Sequence, residues 1–256
     1  RATHALEVPK SRLRTTLEKR QSTRVFGTAP ILQKALIRIL WAAYGITDTR
    51  VRAGSGSVPR RTVPSAGALY PIVIHLILWK QVGCIRAGVY RVTYGRPYTV
   101  ELRKIGISSD KLRSCFIDRT NIRHATGVVV ISGSIGRAAA KYANRSVLTT
   151  LLEAGHVAQN IHIAASEARV ATLEVGGFLE DRLAHLLNTP SRAIPLTSVL
   201  FGTHERAKDI GLVKPQPSLS DIVSRIEMAA PHVGSYTLPF TMAFAEVIPE
   251  EGVPWW

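Results

Sequence analysis

The amino-acid sequence predicts an α+β domain, with a small central mixed sheet and helices packed against it. Three observations lead to this fold class. Residues 30–44 and 146–169 repeat apolar side chains every three or four positions, as amphipathic helices do. Residues 71–80 and 127–132 are apolar without alternation, which is typical of strands buried on both faces. The chain of 256 residues is also long enough to bury a sizeable core.

The N-terminal region is predicted to be a basic arm, an extended segment and a helix, in that order. Residues 1–19 set leucines among lysines and arginines in a partly helical pattern. Residues 19–30 mix β-branched, aromatic and polar side chains, which favours an extended chain. Pro30 suits the first turn of the helix over 30–44, and Gly45 suits its C-terminal cap.

The next region is predicted to hold a loop, strands and a short helix. Residues 47–63 are rich in Gly, Ser and Arg and predict a mobile loop. The buried strand over 71–80 follows this loop, and residues 88–102 predict a hairpin that turns at 95–97. Residues 110–119 are a candidate short helix.

The long helix over 146–169 dominates the second half of the chain. Small residues on one of its faces would let another helix approach closely, so we expect this helix to suit contact between two copies of the chain. The other elements predicted in this half are strands over 127–132, 170–175 and 194–201 and a helix over 179–187.

The predicted domain has an appendage at each end. From residue 203 onward the chain holds six of its 14 prolines and shows no sustained helical or alternating pattern. We therefore predict an extended tail over 203–256, a basic arm over 1–19, and one domain over 20–202.

The charge of the chain is strongly positive. It has 33 Lys and Arg against 18 Asp and Glu, a formal net charge of +15 at pH 7. Such a charge attracts polyanions and acidic partners, so nucleic-acid binding is one alternative function. The basic residues are scattered and no Lys/Arg run is interleaved with aromatic residues, which disfavours that alternative.

Several other classes of protein are disfavoured by the composition. The two cysteines, Cys84 and Cys115, are too few for a disulfide framework, and we expect a soluble cytoplasmic protein. The longest apolar run, 68–79, is too short to span a bilayer. The eight histidines are dispersed, the familiar phosphate-loop, dinucleotide and H-E-x-x-H motifs are absent, and no metal site is expected.

The first candidate site is the stretch from Arg20 to Arg24, "RQSTR". In an extended segment every second side chain points the same way, so Arg20, Ser22 and Arg24 would converge on one side. Two guanidinium groups and a hydroxyl suit a phosphomonoester. A solvated basic strand is the alternative interpretation.

The second candidate site is the corner "PSAG" just before the buried strand over 71–80. Pro64 restricts the preceding residue to an extended conformation, and Ser65 offers a hydroxyl. Ala66 and Gly67 leave room for a flat ligand to approach the backbone. Two glycines in "EVGGF", residues 174–178, would do the same at the end of another strand. Ordinary tight turns are the alternative at both places.

The third candidate site is the adjacent pair Lys141 and Tyr142. On a regular helix the two side chains would diverge by about 100°. If they act together, either the segment is irregular or the ligand lies between them. An ammonium group near Tyr142 favours its tyrosinate form and would help it to accept a proton. A surface lysine beside a packing tyrosine is the alternative.

The order and spacing of these motifs resemble one family. R-x-S-x-R, P-S-A-G-A-L-Y-P, K-Y-x-x-R, "LLEAGHVAQNIHIAA" and "VGGF" are similar to motifs of the azoline dehydrogenases of thiazole/oxazole-modified peptide biosynthesis. These enzymes are the SagB-type branch of the flavin-dependent nitroreductase superfamily. The resemblance covers residues 20–202 and implies a nitroreductase-like fold.

The resemblance implies an FMN site shared between the two chains of a homodimer. It also makes Lys141 and Tyr142 the catalytic pair. The positions that match the family's cofactor-binding residues are Arg20, Ser22, Arg24, Pro64, Ser65, Ala66, Gly67, Gly176 and Gly177.

The implied reaction is the oxidation of thiazolines or oxazolines in a ribosomal precursor peptide, with O2 reoxidising the flavin. The implied partners are a cyclodehydratase and a peptide-recognition protein of the same pathway, because an azoline must be made before it is oxidised. The alternatives are an NAD(P)H-dependent nitroreductase and a basic binding or scaffold protein without enzymatic activity.

Overall fold

The computed structural model describes residues 8–52, 56–117, 119–189 and 193–205. The helices are α1 (Arg12–Lys19), α2 (Gln33–Tyr44), α3 (Ser109–Arg113), α4 (Arg119–His124), α5 (Ile135–Tyr142), α6 (Ser146–Glu167) and α7 (Glu180–Leu187). The strands are β1 (Phe26–Gly27), β2 (Ile46–Arg52), β3 (Gly56–Arg61), β4 (Ile72–Leu78), β5 (Gly88–Thr93), β6 (Glu101–Ile105), β7 (Gly127–Gly133), β8 (Ala171–Val175) and β9 (Ile194–His204).

Within the described ranges the main sheet has seven strands in the order β1-β9-β7-β4-β5-β6, and β8 also pairs with β9. The strand pairs are antiparallel. A parallel bridge joins Ser22 to Thr172 of β8, so the chain ahead of β1 runs along β8. The predicted α+β fold, a mixed sheet with flanking helices, is confirmed.

The two central strands are buried because both faces of the sheet are covered. Every residue of β7 is buried. Val129 and Ile131 belong to a cluster that includes residues of α2 and α6, whereas Val128 and Val130 belong to a second cluster with Phe116. Both side-chain directions are therefore apolar, which explains why the sequence of this strand does not alternate.

The small residues of α6 pack within the chain. Ala154, Ala158 and Ala165 are buried in the same cluster as Ala35 and Ala43 of α2. A second helix does approach this face as predicted, but it is α2 of the same chain. The expectation that the small-residue face contacts another copy of the chain is therefore wrong.

The prediction of a mobile loop over 47–63 is also wrong. β2 and β3 form a separate antiparallel two-stranded sheet in this region, with Asp48 opposite Arg60 and Arg52 opposite Gly56. β-branched residues recur along β2, and such residues favour extended backbone. The glycines and serines of this region suggested a loop, although such residues are also common in hairpins.

Element boundaries differ modestly from the predictions elsewhere. α2 starts at Gln33, beyond Pro30, and Gly45 caps its end by donating its N–H to the Trp41 carbonyl. The predicted helix over 110–119 is α3, which ends at Arg113. The strands and helices predicted over 71–80, 88–102, 127–132, 146–169, 170–187 and 194–201 are present. The predicted tail lies outside the described residues from 206 onward.

Candidate active site

The corner between β3 and β4 has an unusual backbone. Ser65 is extended and begins a 3-10 turn over Ala66–Ala68. Gly67, Ala68 and Tyr70 all have positive φ, at 58°, 56° and 48°. Only glycine adopts this left-handed region easily, so Ala68 and Tyr70 store strain that surrounding contacts must offset. The Ser65 hydroxyl oxygen accepts a 2.9 Å hydrogen bond from the Tyr70 N–H and closes the corner.

Lys141 and Tyr142 converge on this corner. A Cβ atom built on Gly67 would lie 2.8 Å from Lys141 Nζ and 2.8 Å from the Tyr142 hydroxyl, so both polar groups stand directly against the Gly67 backbone. α5 ends at Tyr142, and Ala143, at φ 44° and ψ −126°, breaks the helical path before α6. Lys141 Nζ also lies 5.7 Å from the centre of the Tyr142 ring. The helical path is thus broken directly after the two residues.

A buried carboxylate lies beneath the corner. Glu153 of α6 is only 2% exposed, and its Oε1 accepts a 2.5 Å hydrogen bond from the Tyr44 hydroxyl. The Ser65 hydroxyl lies close enough to the same carboxylate to lower its pKa. The Tyr44 oxygen in turn accepts the N–H of Ile72, the first residue of β4, at 3.3 Å. One carboxylate is therefore connected to both ends of the corner.

Burial and hydrogen bonding act in opposite directions on the ionisation of Glu153. Burial raises the pKa of Glu153, and the hydrogen bonds from Ser65 and Tyr44 and the charges of Arg61 and His156 oppose that rise. Burial and the neighbouring Glu153 raise the pKa of Tyr44 far above its ordinary value. Tyr44 therefore stays protonated and donates to Glu153.

Arg61 sits in a cage of tyrosines next to this carboxylate. Its guanidinium carbon lies 4.6, 5.0 and 5.6 Å from the ring centres of Tyr44, Tyr70 and Tyr94, which are distances of cation–π contacts. Arg61 Nη1 donates to the carbonyl oxygen of Tyr44 at 2.7 Å. Arg61 thus ties the end of β3 to the corner that follows it.

The Arg20 to Arg24 segment lies elsewhere, beside β8 and the C-terminal half of α6. The backbone N–H of Arg20 caps α1, and Ser22 bridges to Thr172. Ser22 and Arg24 are exposed, whereas Arg20 is half-buried and lines a cavity of about 490 Å³. The other residues that line this cavity are Glu18, Lys19, Gln21, His162, Ser166, Arg169, Val170, Thr172 and His204.

Gly176 and Gly177 follow the end of β8. The Gly177 carbonyl accepts the Ile117 N–H at 2.9 Å. Gly176 is exposed, and a Cβ built on it would meet no atom within 4 Å, so its backbone faces open space. Glu174 is held by the Thr197 hydroxyl at 2.8 Å and by His162, and the hydrogen bond with His162 lowers the pKa of Glu174.

Nine of the candidate residues therefore form two groups at different positions along α6, and Gly176 and Gly177, which follow β8, belong to neither. The first, which we call the corner group, contacts Glu153 in the N-terminal half of the helix. The second, the basic group, lies by Ser166, whose hydroxyl donates to the Thr16 carbonyl at 2.9 Å. These helix positions are about 20 Å apart at 1.5 Å per residue. The corner group is Pro64, Ser65, Ala66, Gly67, Lys141 and Tyr142, and the basic group is Arg20, Ser22 and Arg24.

Sequence reasoning missed Glu153, Tyr44 and Arg61 as parts of the site. A signal for Glu153 existed, because it lies on the same helical stripe as Thr150 and Val157, which are buried. A charged residue on an apolar stripe requires buried partners. No comparable signal marked Arg61, since its cage joins residues far apart in the sequence.

Comparison with known proteins identifies the class. The family model described as "Nitroreductase family" matches residues 17–203, and the chain belongs to this family of oxidoreductases. A protein of Methanocaldococcus jannaschii named "Putative nitroreductase MJ1384" is 30% identical over 181 residues, covering 71% of this chain and 86% of its own.

Solved structures agree on the fold. A Ralstonia eutropha protein, described as a "putative nitroreductase", matches with a TM-score of 0.55 at 21% identity, over 80% of this chain and 88% of that one. A chain of the Escherichia coli microcin synthetase McbBCD complex with truncated pro-MccB17 bound matches with a TM-score of 0.58 at 21% identity, over 80% and 77%. The nitroreductase-like fold is thus confirmed.

Two further observations concern the described residues only. None of their helices combines the length and the apolar composition that a membrane-spanning helix needs. Their His, Cys, Asp and Glu side chains form no group of three or more that could hold a metal ion.

Proposed function

We propose that this chain is an FMN-dependent dehydrogenase that oxidises thiazolines or oxazolines in a ribosomal precursor peptide to thiazoles or oxazoles. The observation that carries the proposal is the convergence of Lys141 and Tyr142 on Gly67. The two side chains that the family resemblance makes catalytic stand against the backbone that it assigns to the flavin.

The residues present fit FMN, which members of this family typically bind. The basic group offers two guanidinium groups and a hydroxyl to the phosphate and the ribityl chain. The backbone of Gly176 is open to a flat ring. The other proposed flavin contacts rest on the family resemblance and are Pro64, Ser65, Ala66, Gly67 and Gly177. When bound, FMN would supply the acceptor for a hydride, that is, two electrons and one proton. O2 would reoxidise it.

The chain itself would handle the proton. Tyr142 is the proposed base for the Cα proton of the azoline ring, and Lys141 is the proposed residue that assists it. Because Gly67 has no side chain, both groups can lie directly against its backbone. The oxidation removes two hydrogen atoms from the ring and creates the second double bond of the aromatic azole.

We propose a homodimer in which the corner group of one chain and the basic group of its partner complete each site. The separation of about 20 Å between the two groups along α6 supports this arrangement. Contact would use the outward face of α6, where the side chains of Leu148 and Leu152 are exposed. The proposed further partners are a cyclodehydratase and a peptide-recognition protein, in line with the microcin synthetase complex whose chain shares this fold.

The proposal is tested by supplying the purified protein with FMN, O2 and a peptide that carries an azoline, and measuring the peptide mass. We expect the loss of two hydrogen atoms per ring and a flavin absorbance spectrum that stays with the protein on a desalting column. A yellow protein that leaves the peptide unchanged, alone and with its cyclodehydratase, would exclude the proposed reaction but leave an FMN enzyme.

The second candidate is an NAD(P)H-dependent nitroreductase. It is favoured by the relative at 30% identity, which bears the name of that activity. Rapid reduction of the bound flavin by NADH or NADPH would support it, since an azoline dehydrogenase has no need of a nicotinamide. A protein that stays colourless and does not bind FMN would instead support a basic binding or scaffold protein.

A further inference from the structure

Glu153 is a buried charged group to which the proposed reaction gives no part. We infer that Glu153 is a positioning residue, which holds the corner of residues 65–72 in the shape that brings Gly67 against Lys141 and Tyr142. This inference rests on the proposed function for its catalytic consequence. Its structural content concerns only hydrogen bonds within this chain.

Glu153 links both ends of the corner to a rigid element. The Ser65 hydroxyl at the start of the corner lies beside the carboxylate and lowers its pKa. Ile72 at its end is connected through the Tyr44 hydroxyl, which donates to Glu153 and accepts the Ile72 N–H. Glu153 itself lies on the buried face of α6, in the longest helix that the described residues contain.

The backbone of the corner needs such a connection. Two of its non-glycine residues, Ala68 and Tyr70, have positive φ, which persists only where the surroundings enforce it. Ser65 Oγ accepts the Tyr70 N–H, and the Ser65 hydroxyl lies beside Glu153. Removal of the carboxylate would therefore leave the strained backbone without its main polar anchor.

A carboxylate suits this position better than an amide. An ionised Glu153 can accept hydrogen bonds from two hydroxyl groups at once, whereas a glutamine has only one accepting oxygen and adds a donor group. In a site that is 2% exposed, a misplaced NH2 group has no water to pair with. Arg61 supplies the nearby positive charge that supports the ionised form.

Hydrogen exchange on the full chain without cofactor tests whether Glu153 holds the corner. In Glu153→Gln the amides of Tyr70 and Ile72 should exchange about tenfold faster than in the wild type, since their acceptors lose their own anchor. Glu101→Gln is the matched control, because Glu101 is exposed on β6, far along the sheet. Unchanged exchange of both amides in Glu153→Gln would overturn the inference.

A second variant keeps the test informative if Glu153→Gln folds poorly. Tyr44→Phe removes one hydroxyl and leaves the carboxylate with Ser65, so only the Ile72 amide should exchange faster. Faster exchange spread evenly over the whole chain in both variants would contradict a positioning role and indicate a general packing role.

The catalytic consequence is read from the FMN-loaded enzyme. In Glu153→Gln we expect kcat for azoline oxidation to fall about tenfold or more while KM for the peptide changes little, together with an altered visible circular dichroism of the bound flavin. A normal kcat and spectrum would overturn the positioning role. If the wild-type protein oxidises no azoline, the proposed function fails, while the exchange result still decides whether Glu153 holds the corner.

Discussion

The two ends of α6 carry the two groups of candidate residues, and they are built in different ways. The corner group stands on buried contacts within the chain: Ile72 donates to Tyr44, Tyr44 donates to Glu153, and the Ser65 hydroxyl lies beside the same carboxylate. In the basic group Ser22 and Arg24 are exposed, and Arg20 lines an open cavity. The corner therefore has a shape before any ligand binds, whereas the basic group contributes charge. Changes at the first should alter the rate, and changes at the second should alter affinity.

Tyr142→Phe, a change in the corner group, should have the largest effect of the proposed substitutions, and it should act on the rate. Loss of a general base costs about 10²–10⁴-fold in rate, so azole formation should fall by at least about 100-fold while FMN remains bound. Tyr98→Phe is the control, because Tyr98 is 73% exposed and stacks on Trp41 away from the corner. An undiminished rate in Tyr142→Phe, measured by peptide mass over time, would remove Tyr142 from the mechanism.

His75→Val, in the strand β4 that follows the corner, should strongly reduce the loss of stability at acid pH. His75 in β4 is fully buried, neither of its ring nitrogens has a hydrogen-bond partner, and burial with the charge of Arg91 lowers its pKa to about 4. The unfolded chain therefore binds a proton between about pH 6.5 and 4 that the folded chain does not, and stability falls as the pH falls through that range.

The span between the two pKa values corresponds to about 3 kcal/mol of stability. His75→Val should remove this part of the acid sensitivity, which urea unfolding at pH 7 and at pH 4.5 measures. Equal losses of stability in the wild type and the variant over that range would show that His75 is not the group responsible.

Arg20→Ala and Arg24→Ala should test the basic group through affinity. Charged hydrogen bonds to a phosphate contribute about 1.5–3 kcal/mol, so each change should weaken FMN binding by about 10- to 100-fold. Arg103→Ala on the exposed side of β6 serves as the control for loss of one positive charge. Flavin fluorescence titrations give the Kd, and equal values for all four proteins would exclude the basic group from the cofactor site.

A glycine pair gives the smallest expected effect. Gly67→Ala should destabilise the fold by about 1–2 kcal/mol, because its φ of 58° is left-handed and the added Cβ displaces Lys141 and Tyr142. Gly136→Ala in α5 has open space and ordinary helical φ, and should stabilise the fold by about 0.5–1 kcal/mol. Thermal unfolding that shows no difference between the two variants would contradict the strained corner.

The sequence predicted those parts of the molecule that depend on local pattern. Helical spacing predicted α6, and apolar runs predicted β4 and β7, whose two faces are both covered. The hairpin of β2 and β3 was not predicted, because glycine and serine suit both loops and turns. The meeting of Lys141 with Gly67 depends on the backbone break at Ala143, and the Arg61 cage depends on tertiary contacts. Neither leaves a periodic trace in the sequence.

The central claim is that an azoline in a peptide passes its electrons to a flavin held by this chain. The most direct measurement is the visible flavin absorbance after the FMN-loaded protein is mixed, without oxygen, with a peptide that carries one azoline. We predict that the absorbance bleaches as the peptide loses two hydrogen atoms, and that admission of O2 restores it. A flavin that stays oxidised with the peptide but bleaches at once with NADPH would contradict the claim.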